Sequence, residues 1–430
     1  MNAATLAFAR EHADDDVRRT ALKGCTDPDV DMPAALQQIA GRQAARSKLP
    51  TWADVDDILY PPHINMEQAS GEAAARYKAE LLAGLLGRQE RQRAVLVDLT
   101  GGMGVDFSFM ARRVGRAVYV DRNERLCCLA RHNMPLLGLD NAEMVCAEAQ
   151  QASHIAARIE PDDEQRRQRL VVFIDPARRD DAGRRTYALA DCTPSVTELL
   201  PDLVTQCRLL LLKLSPMLDW HKAVADIEAA APCRVTQVHV VATAGECKEL
   251  LLVVEPAAMT AAAAAAEPLR VTCADDATRF CFTPAEEAPD PMPSPSDDSV
   301  FDAAQHLQPG SVLLVPGAAV MKGGGFAALS RRYGAAQLGH NSHLFIARSA
   351  PAGWPGRAFR IETVTGMNKR ELKQAARGTQ PLRANIAVRN FPLTAQELRQ
   401  RLAAKDGGDL YIFATTVPPR NHLLLWCRKA

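Results

Sequence analysis

Much of what these 430 residues lack narrows what they can be. There is no net charge, because 51 Lys and Arg offset 51 Asp and Glu. The chain is therefore no polycation, and any nucleic-acid contact must come from a local patch. No apolar run reaches the roughly 18 residues of a membrane span. The N-terminal stretch MNAATLAFAREHADDD is too charged, and its apolar run too short, for a signal peptide. The eleven cysteines form no CxxC pair and keep no regular spacing, which argues against a disulfide framework or a zinc site. Reduced thiols in a cytoplasmic protein, with no metal and no membrane, are the expectation. Aromatic residues are only 5% of the chain, so base-stacking candidates reduce to Tyr187, Phe391 and Tyr411. No internal repeat of fixed period is evident.

What is present is organised around Ala94 to Asp106, AVLVDLTGGMGVD. The apolar run Val95–Val97 predicts a strand buried on both faces. It ends in Asp98 and opens into a glycine turn, Gly101-Gly102-Met103-Gly104, followed by helical spacing over Phe107–Val114. Strand, glycine turn and helix in that order make a cradle for a nucleotide-type cofactor: glycines let the backbone approach, and the helix start offers free N–H groups. Taken alone, a glycine turn is also compatible with a plain connection.

Before this stretch, residues 1–90 predict a helical region, with helices over Ala35–Ala45 and Gln68–Leu86 separated by Tyr60-Pro61-Pro62. Asn65 is placed to cap the second, and Glu72 and Arg76 are spaced to pair on one of its faces. After it, strands at Ala117–Val120, Ala142–Cys146, Leu170–Ile174, Arg208–Leu212, Arg234–Ala242 and Leu250–Val254 alternate with helices. The last two lack an intervening helix. This pattern predicts an α/β fold with a Rossmann-like, seven-stranded, doubly wound sheet over residues 91–256. Two small α+β domains, 257–350 and 351–430, are expected to follow, with a helix over Ala318–Leu329 and Thr394 and Glu397 forming a capping box. The alanine run Pro256–Pro268 reads as a short helix or a connection. Pro284–Ser299 reads as a linker, and Val300–Leu307 as a helix.

Asp98, Asp121 and Glu148 fall at the ends of consecutive strands, where doubly wound sheets bind their ligands. Asp121 is placed for ribose hydroxyls. A dinucleotide fingerprint would need a third glycine where Phe107 stands, and Asp106 opposes a pyrophosphate. A phosphate-free cofactor fits better. DLTGGMG is similar to the first motif of class I S-adenosylmethionine-dependent methyltransferases. That resemblance implies S-adenosyl-L-methionine held by Asp98, Gly101, Gly102, Gly104, Asp121 and, near the adenine, Glu148.

Asp175-Pro176-Ala177-Arg178-Arg179 lies where amino-methylating members of that superfamily carry Asp/Asn-Pro-Pro-Tyr/Phe. The resemblance implies that Asp175 and the Pro176 carbonyl orient a base nitrogen. The second proline and the aromatic are replaced by Ala177 and Arg178, whose guanidinium can stack on a base or clamp a phosphate. Cys192 and Cys207 sit in no nucleophile motif and read as small buried hydrophobes.

The chain as a whole resembles a bacterial family of class I methyltransferases with a THUMP-like C-terminal domain and a ferredoxin-like insert. The resemblance rests on Met66-Glu67-Gln68-Ala69-Ser70 through Arg76-Tyr77-Lys78, on DPARRDDAGRRTY and on Lys213-Leu214-Ser215-Pro216. It extends to Gly407-Gly408-Asp409-Leu410-Tyr411 with Thr415-Thr416. THUMP domains bind RNA, so it implies methylation of a ribosomal or transfer RNA base. Charge supports this: Arg357, Arg360, Lys369, Arg370, Lys373, Arg377, Arg383, Arg389, Arg399 and Arg401 face only Glu362, Glu371 and Glu397, and Arg178, Arg179, Arg184 and Arg185 adjoin the fourth strand. Glu72, Arg76 and Lys213 are further candidates at the rim. Small-molecule or protein methylation, and a non-catalytic RNA-binding scaffold, are the alternatives.

Overall fold

Strand order decides where a ligand can sit, and it is set by residues 95–256. The computed structural model describes residues 1–160, 162–177, 189, 192–257, 267–276, 278–287, 307–339, 341–377, 381–417 and 421–430. They form two compact units, Met1–Val238 with Lys248–Glu267, and His239–Cys247 with Pro268–Ala430.

The first unit begins with helices Ala3–Glu11, Val17–Lys23 and Met32–Lys48, each capped by a side chain: Asn2, Asp16 and Asp31. The expected helix Gln68–Leu86 is instead two, His63–Gln68 and Glu72–Leu85, and the cap of the longer one is Gly71. Asn65 lies inside the shorter helix. Ser70 falls in the break between them, and its hydroxyl donates to Asp106 at 2.8 Å. That tertiary bond outweighs local helix propensity.

The sheet has nine strands, of which the first seven are β1 (Val95–Asp98), β2 (Arg116–Asp121), β3 (Ala142–Cys146), β4 (Leu170–Ile174), β5 (Leu209–Leu214), β6 (Cys233–Thr243) and β7 (Glu246–Pro256). Their order is β3-β2-β1-β4-β5-β7-β6. β1 to β5 pair in parallel, and β7 is antiparallel to β5. Asp98 is level with Tyr119 on one side and Phe173 on the other, so β1, β2 and β4 finish within two residues of one another. The order reverses beside β1, which makes the carboxyl ends of β1 and β4 the ligand crevice. Helices Met32–Lys48 and Glu72–Leu85 bury Ala45, Ala75 and Leu82 in one core with Leu96, Phe107, Tyr119, Phe173 and Val253.

The second unit holds the hairpin β8 (Arg270–Ala274) and β9 (Arg279–Phe282). It also holds β10 (Val312–Pro316), β11 (Ala336–Gln337), β12 (Phe345–Ala347), β13 (Gly356–Thr365), β14 (Asn385–Arg389), β15 (Tyr411–Val417) and β16 (Asn421–Lys429). The last seven form a sheet ordered β11-β12-β10-β13-β16-β15-β14. Alternation along its strands feeds two cores: Phe413, Leu425 and Cys427 point one way, Ile412, Ala414, Leu424 and Trp426 the other. The expected helix Ala318–Leu329 is broken into Ala318–Gly323 and Phe326–Tyr333. Gly324 and Gly325 have φ of 88° and 72°, and a Cβ on Gly325 would meet the Phe282 ring at 2.6 Å. The Thr394–Glu397 capping box forms as expected. Most of the alanine run, of the Pro284–Ser299 stretch and of Val300–Leu307 lies outside the described residues.

Burial lowers the pKa of His239 to about 4, with Arg279 and Arg270 adding to the effect. An unfolded histidine titrates near 6.5. Between the two values the unfolded state binds the extra proton, so stability is full above about pH 6.5 and falls as pH drops toward 4, by about 3 kcal/mol in all. Thermal melts compared at about pH 7.5 and about pH 5 should show this loss, and His239→Leu should flatten it. A variant that melts with the parent's pH dependence would place the effect elsewhere.

Candidate functional site

Leu99 N–H donates to the Phe173 carbonyl at 3.0 Å and Gly101 N–H to the Val120 carbonyl at 2.8 Å. These bonds pin the glycine turn between the ends of β4 and β2. A Cβ on Gly101 would lie 2.1 Å from the Tyr119 ring, and one on Gly104 2.4 Å from the Met134 methyl. Only glycine lets the turn run this close. Tyr119 Oη donates to the Gly102 carbonyl at 2.6 Å. Phe107 is fully buried edge-on to Tyr119, in the place where a dinucleotide cradle would need glycine.

The predicted acids divide into different roles. Asp121 is half-buried at the end of β2, with Oδ2 accepting from Gly102 N–H at 2.8 Å and Oδ1 from Asn123 N–H at 2.7 Å. Its orientation is fixed while both oxygens keep further lone pairs for hydroxyl donors. Glu148 is exposed just past β3, at the start of a 3-10 turn. Asp98 is buried beneath the turn and accepts from Thr100 N–H at 3.0 Å. Burial pushes its carboxyl well above the ordinary range, with the Thr100 bond opposing and Asp106, Asp175 and Asp121 adding to the rise. Asp98 is thus placed to shape the turn from below. Thr100 also joins the turn to the fourth strand, because its Oγ1 accepts from Asp175 N–H at 2.6 Å.

Asp175 follows β4, and Ala177 is held by a two-way backbone bridge to Thr193. Pro176 between them is buried. Arg178 lies outside the described residues, as do Arg179, Arg184, Arg185 and Tyr187. Asp175 does not stand alone. Lys213, on β5, places Nζ 2.5 Å from Asp175 Oδ2 and 3.5 Å from Asp106 Oδ2. Lys78, on helix Glu72–Leu85, lies 3.1 Å from Asp106 Oδ1 and holds both oxygens of Glu249 on β7, at 2.6 and 2.7 Å. Side-chain exposure is 36% at Asp175, 12% at Lys213 and 10% at Asp106, and only 1% at Lys78 and 3% at Glu249. Five charged groups thus run from the crevice into the core.

Desolvation opposes Lys213's charge, but Asp175, Asp106 and Glu249 outweigh it and hold the ammonium well above its usual pKa. Burial likewise works against Asp106, yet Lys78 and Lys213 keep its carboxyl below the usual range. Glu249 is shifted up by burial, with Lys78 opposing. Three carboxyl groups face two lysines.

Of the rim candidates, Lys213 joins this cluster. Glu72 and Arg76 do not: buried Glu72 accepts from the Thr51 N–H and hydroxyl and from Arg76, tying helix Glu72–Leu85 to the chain around Thr51. Cys192 and Cys207 are buried. The reading of the sequence missed Lys78, Glu249, Ser70 and Thr100 as site residues, and took Asp106 only as an obstacle to phosphate. A signal existed for Lys78, which shares a helical stripe with Ala74, Ala75 and Leu82, where a lysine needs a buried partner.

In the second unit the acids that faced the basic run are engaged elsewhere. Glu362 pairs with Arg428, Glu371 accepts from Gly366 N–H, and Glu397 closes its capping box. Among the described residues, only Arg399 of the ten basic side chains has a carboxylate within pairing distance, Asp406 at 2.7 Å. Tyr411 and Phe391 are half-buried, against Phe359 and His422 respectively. No metal-binding group and no helix long and apolar enough to cross a membrane occur among the described residues.

Residues 313–355 match the model of a ferredoxin-like domain, and residues 356–429 match a THUMP domain-like model. The crystal structure of a candidate methyltransferase from Porphyromonas gingivalis W83 aligns over 99% of this chain and 98% of its own, with a TM-score of 0.78 and 29% identity. An uncharacterized S-adenosylmethionine-dependent methyltransferase of Mycobacterium tuberculosis, found in two strains, is 30% identical over 161 residues. That match covers 36% of this chain and 36% of the relative, so the chain spans little more than a third of the curated relatives' length.

Proposed function

We propose that this chain, which joins a methyltransferase sheet to ferredoxin-like and THUMP-like segments, is an S-adenosylmethionine-dependent methyltransferase of ribosomal or transfer RNA. The observation that carries the reading is the lysine-paired Asp175 beside a glycine turn with no room for side chains. When bound, S-adenosylmethionine supplies a methyl group on a sulfonium, an electrophile with a good leaving group. It carries one net positive charge, and a crevice with more carboxyl groups than lysines suits a cation. Gly101, Gly102 and Gly104 would take its methionine portion, Asp121 its ribose hydroxyls, and Glu148 would lie toward its adenine.

The protein's own contribution is positioning. Lys213 and Thr100 fix Asp175, so the acid presents its second oxygen without reorganising. Holding reactants in near-attack geometry is worth up to ~7–11 kcal/mol. For RNA, the support is the THUMP domain-like match and a sequence run of basic side chains whose neighbouring acids Glu362, Glu371 and Glu397 are engaged elsewhere. A cytoplasmic location accords with an RNA substrate and with cysteines that form no disulfide among the described residues.

Two measurements test this. Calorimetry should show S-adenosylmethionine binding; no heat of binding removes the enzyme reading. Mass spectrometry of nucleosides from total RNA should show one methylated species lost when the gene is deleted. An unchanged profile removes RNA as the substrate.

A further inference from the structure

Resting on the RNA-methylation reading, we infer that the atom methylated is a hydroxyl oxygen, the 2′-hydroxyl of a ribose, and that Lys213 is set beside Asp175 to favour it. The ammonium paired with the acid that faces the crevice carries this. An amine acceptor attacks with its lone pair and becomes cationic as the methyl arrives. Sites for such acceptors gain from carbonyls and acids and lose from a nearby cation. Here the acid that faces the crevice has an ammonium 2.5 Å away, 12% exposed and backed by Asp106. Paired with Lys213, Asp175 no longer offers a cationic acceptor the attraction of a bare carboxylate, a loss worth roughly a hundredfold in rate at about 5 Å and an effective dielectric of ~20.

A hydroxyl acceptor places the opposite demand on the site. It must lose a proton, and negative charge builds on its oxygen. Asp175 has one oxygen engaged by Lys213 and, among the described residues, the other available to take the proton, while Lys213 stabilises the developing oxyanion. The step balances. The acceptor oxygen forms the new O–C bond as the methyl's C–S bond breaks with its electron pair left on sulfur. The hydroxyl proton passes to Asp175 and, at 36% exposure, on to water. The sequence agrees, since Ala177 and Arg178 replace the proline and aromatic that clamp a base for amine methylation. Ribose hydroxyls occur at every RNA nucleotide and need no extruded base. This moves the acceptor from the base nitrogen to the sugar.

The test compares nucleosides from total RNA of the parent and the deletion strain, with the methyl assigned to sugar or base by fragmentation. Loss of a 2′-O-methylated nucleoside is expected. Loss of a base-methylated nucleoside alone would overturn the hydroxyl assignment and leave RNA methylation standing; an unchanged profile would bring down both. With the purified protein and the affected RNA, Lys213→Met should slow transfer at least ~100-fold with S-adenosylmethionine affinity by calorimetry changed less than about threefold, and Lys213→Arg should recover part of the rate. A Lys213→Met protein that binds the cofactor and transfers as fast as the parent, or faster, would point to an amine and refute the proposal.

Discussion

Asp175→Ala is expected to abolish methyl transfer, by ~10³-fold or more, while S-adenosylmethionine affinity changes less than about threefold. The asymmetry follows from where Asp175 stands. The glycine turn is held by the ends of β4 and β2 through Leu99, Gly101 and Tyr119, none of which uses the Asp175 carboxylate. Thr100 touches only the Asp175 backbone N–H, which alanine retains. Among the described residues the side chain's partner is Lys213, and losing the carboxylate strips the crevice of both proton acceptor and aligned ammonium. Asp175→Asn is the sharper control, keeping shape while removing charge, and should lose nearly as much. Calorimetry and a radiolabelled-methyl transfer assay on the same preparations decide the matter. Equal loss of binding and transfer would show that Asp175 holds the fold of the crevice instead.

The sheet was legible because its signal is local: apolar runs such as Val95–Val97 and Leu170–Ile174, each closed by an acid at the crevice. Phe107 was legible for the same reason, since bulk at one position of a motif needs no tertiary knowledge. Asn65 and the helix Gln68–Leu86 misled, because the break at Ser70 depends on a partner 36 residues away. The double glycine at 324–325 was the opposite case: a local break was written in the sequence, and periodicity over Ala318–Leu329 was read across it. The charged cluster was the least legible feature. Lys78 and Glu249 are 171 residues apart and meet only because β7 lies next to β5 and the N-terminal helix packs over the sheet.

That pair makes the largest stability prediction. Lys78→Met should lower the melting temperature of the first unit by roughly 6–20 °C, since unpairing a buried ion costs ~3–5 kcal/mol and each kcal/mol shifts a unit of this size by about 2–4 °C. The methionine fits the space of the lysine stem but leaves Glu249 and Asp106 buried with one cation between them. Glu249→Leu in the same chain removes half of that imbalance, so the double variant should regain most of the lost stability. Transfer should not return with it. Asp106, deprived of Lys78, draws on Lys213 alone, and Lys213 is the group that sets Asp175; a rate still ~10–100-fold below the parent is expected from a fully folded double variant. Melting curves and transfer rates measured together separate the roles. If stability and rate recover in step, the buried lysine only braces the N-terminal helix against the sheet. If stability recovers and rate does not, the N-terminal region completes the site through Lys78, the fourth charged group in from the crevice.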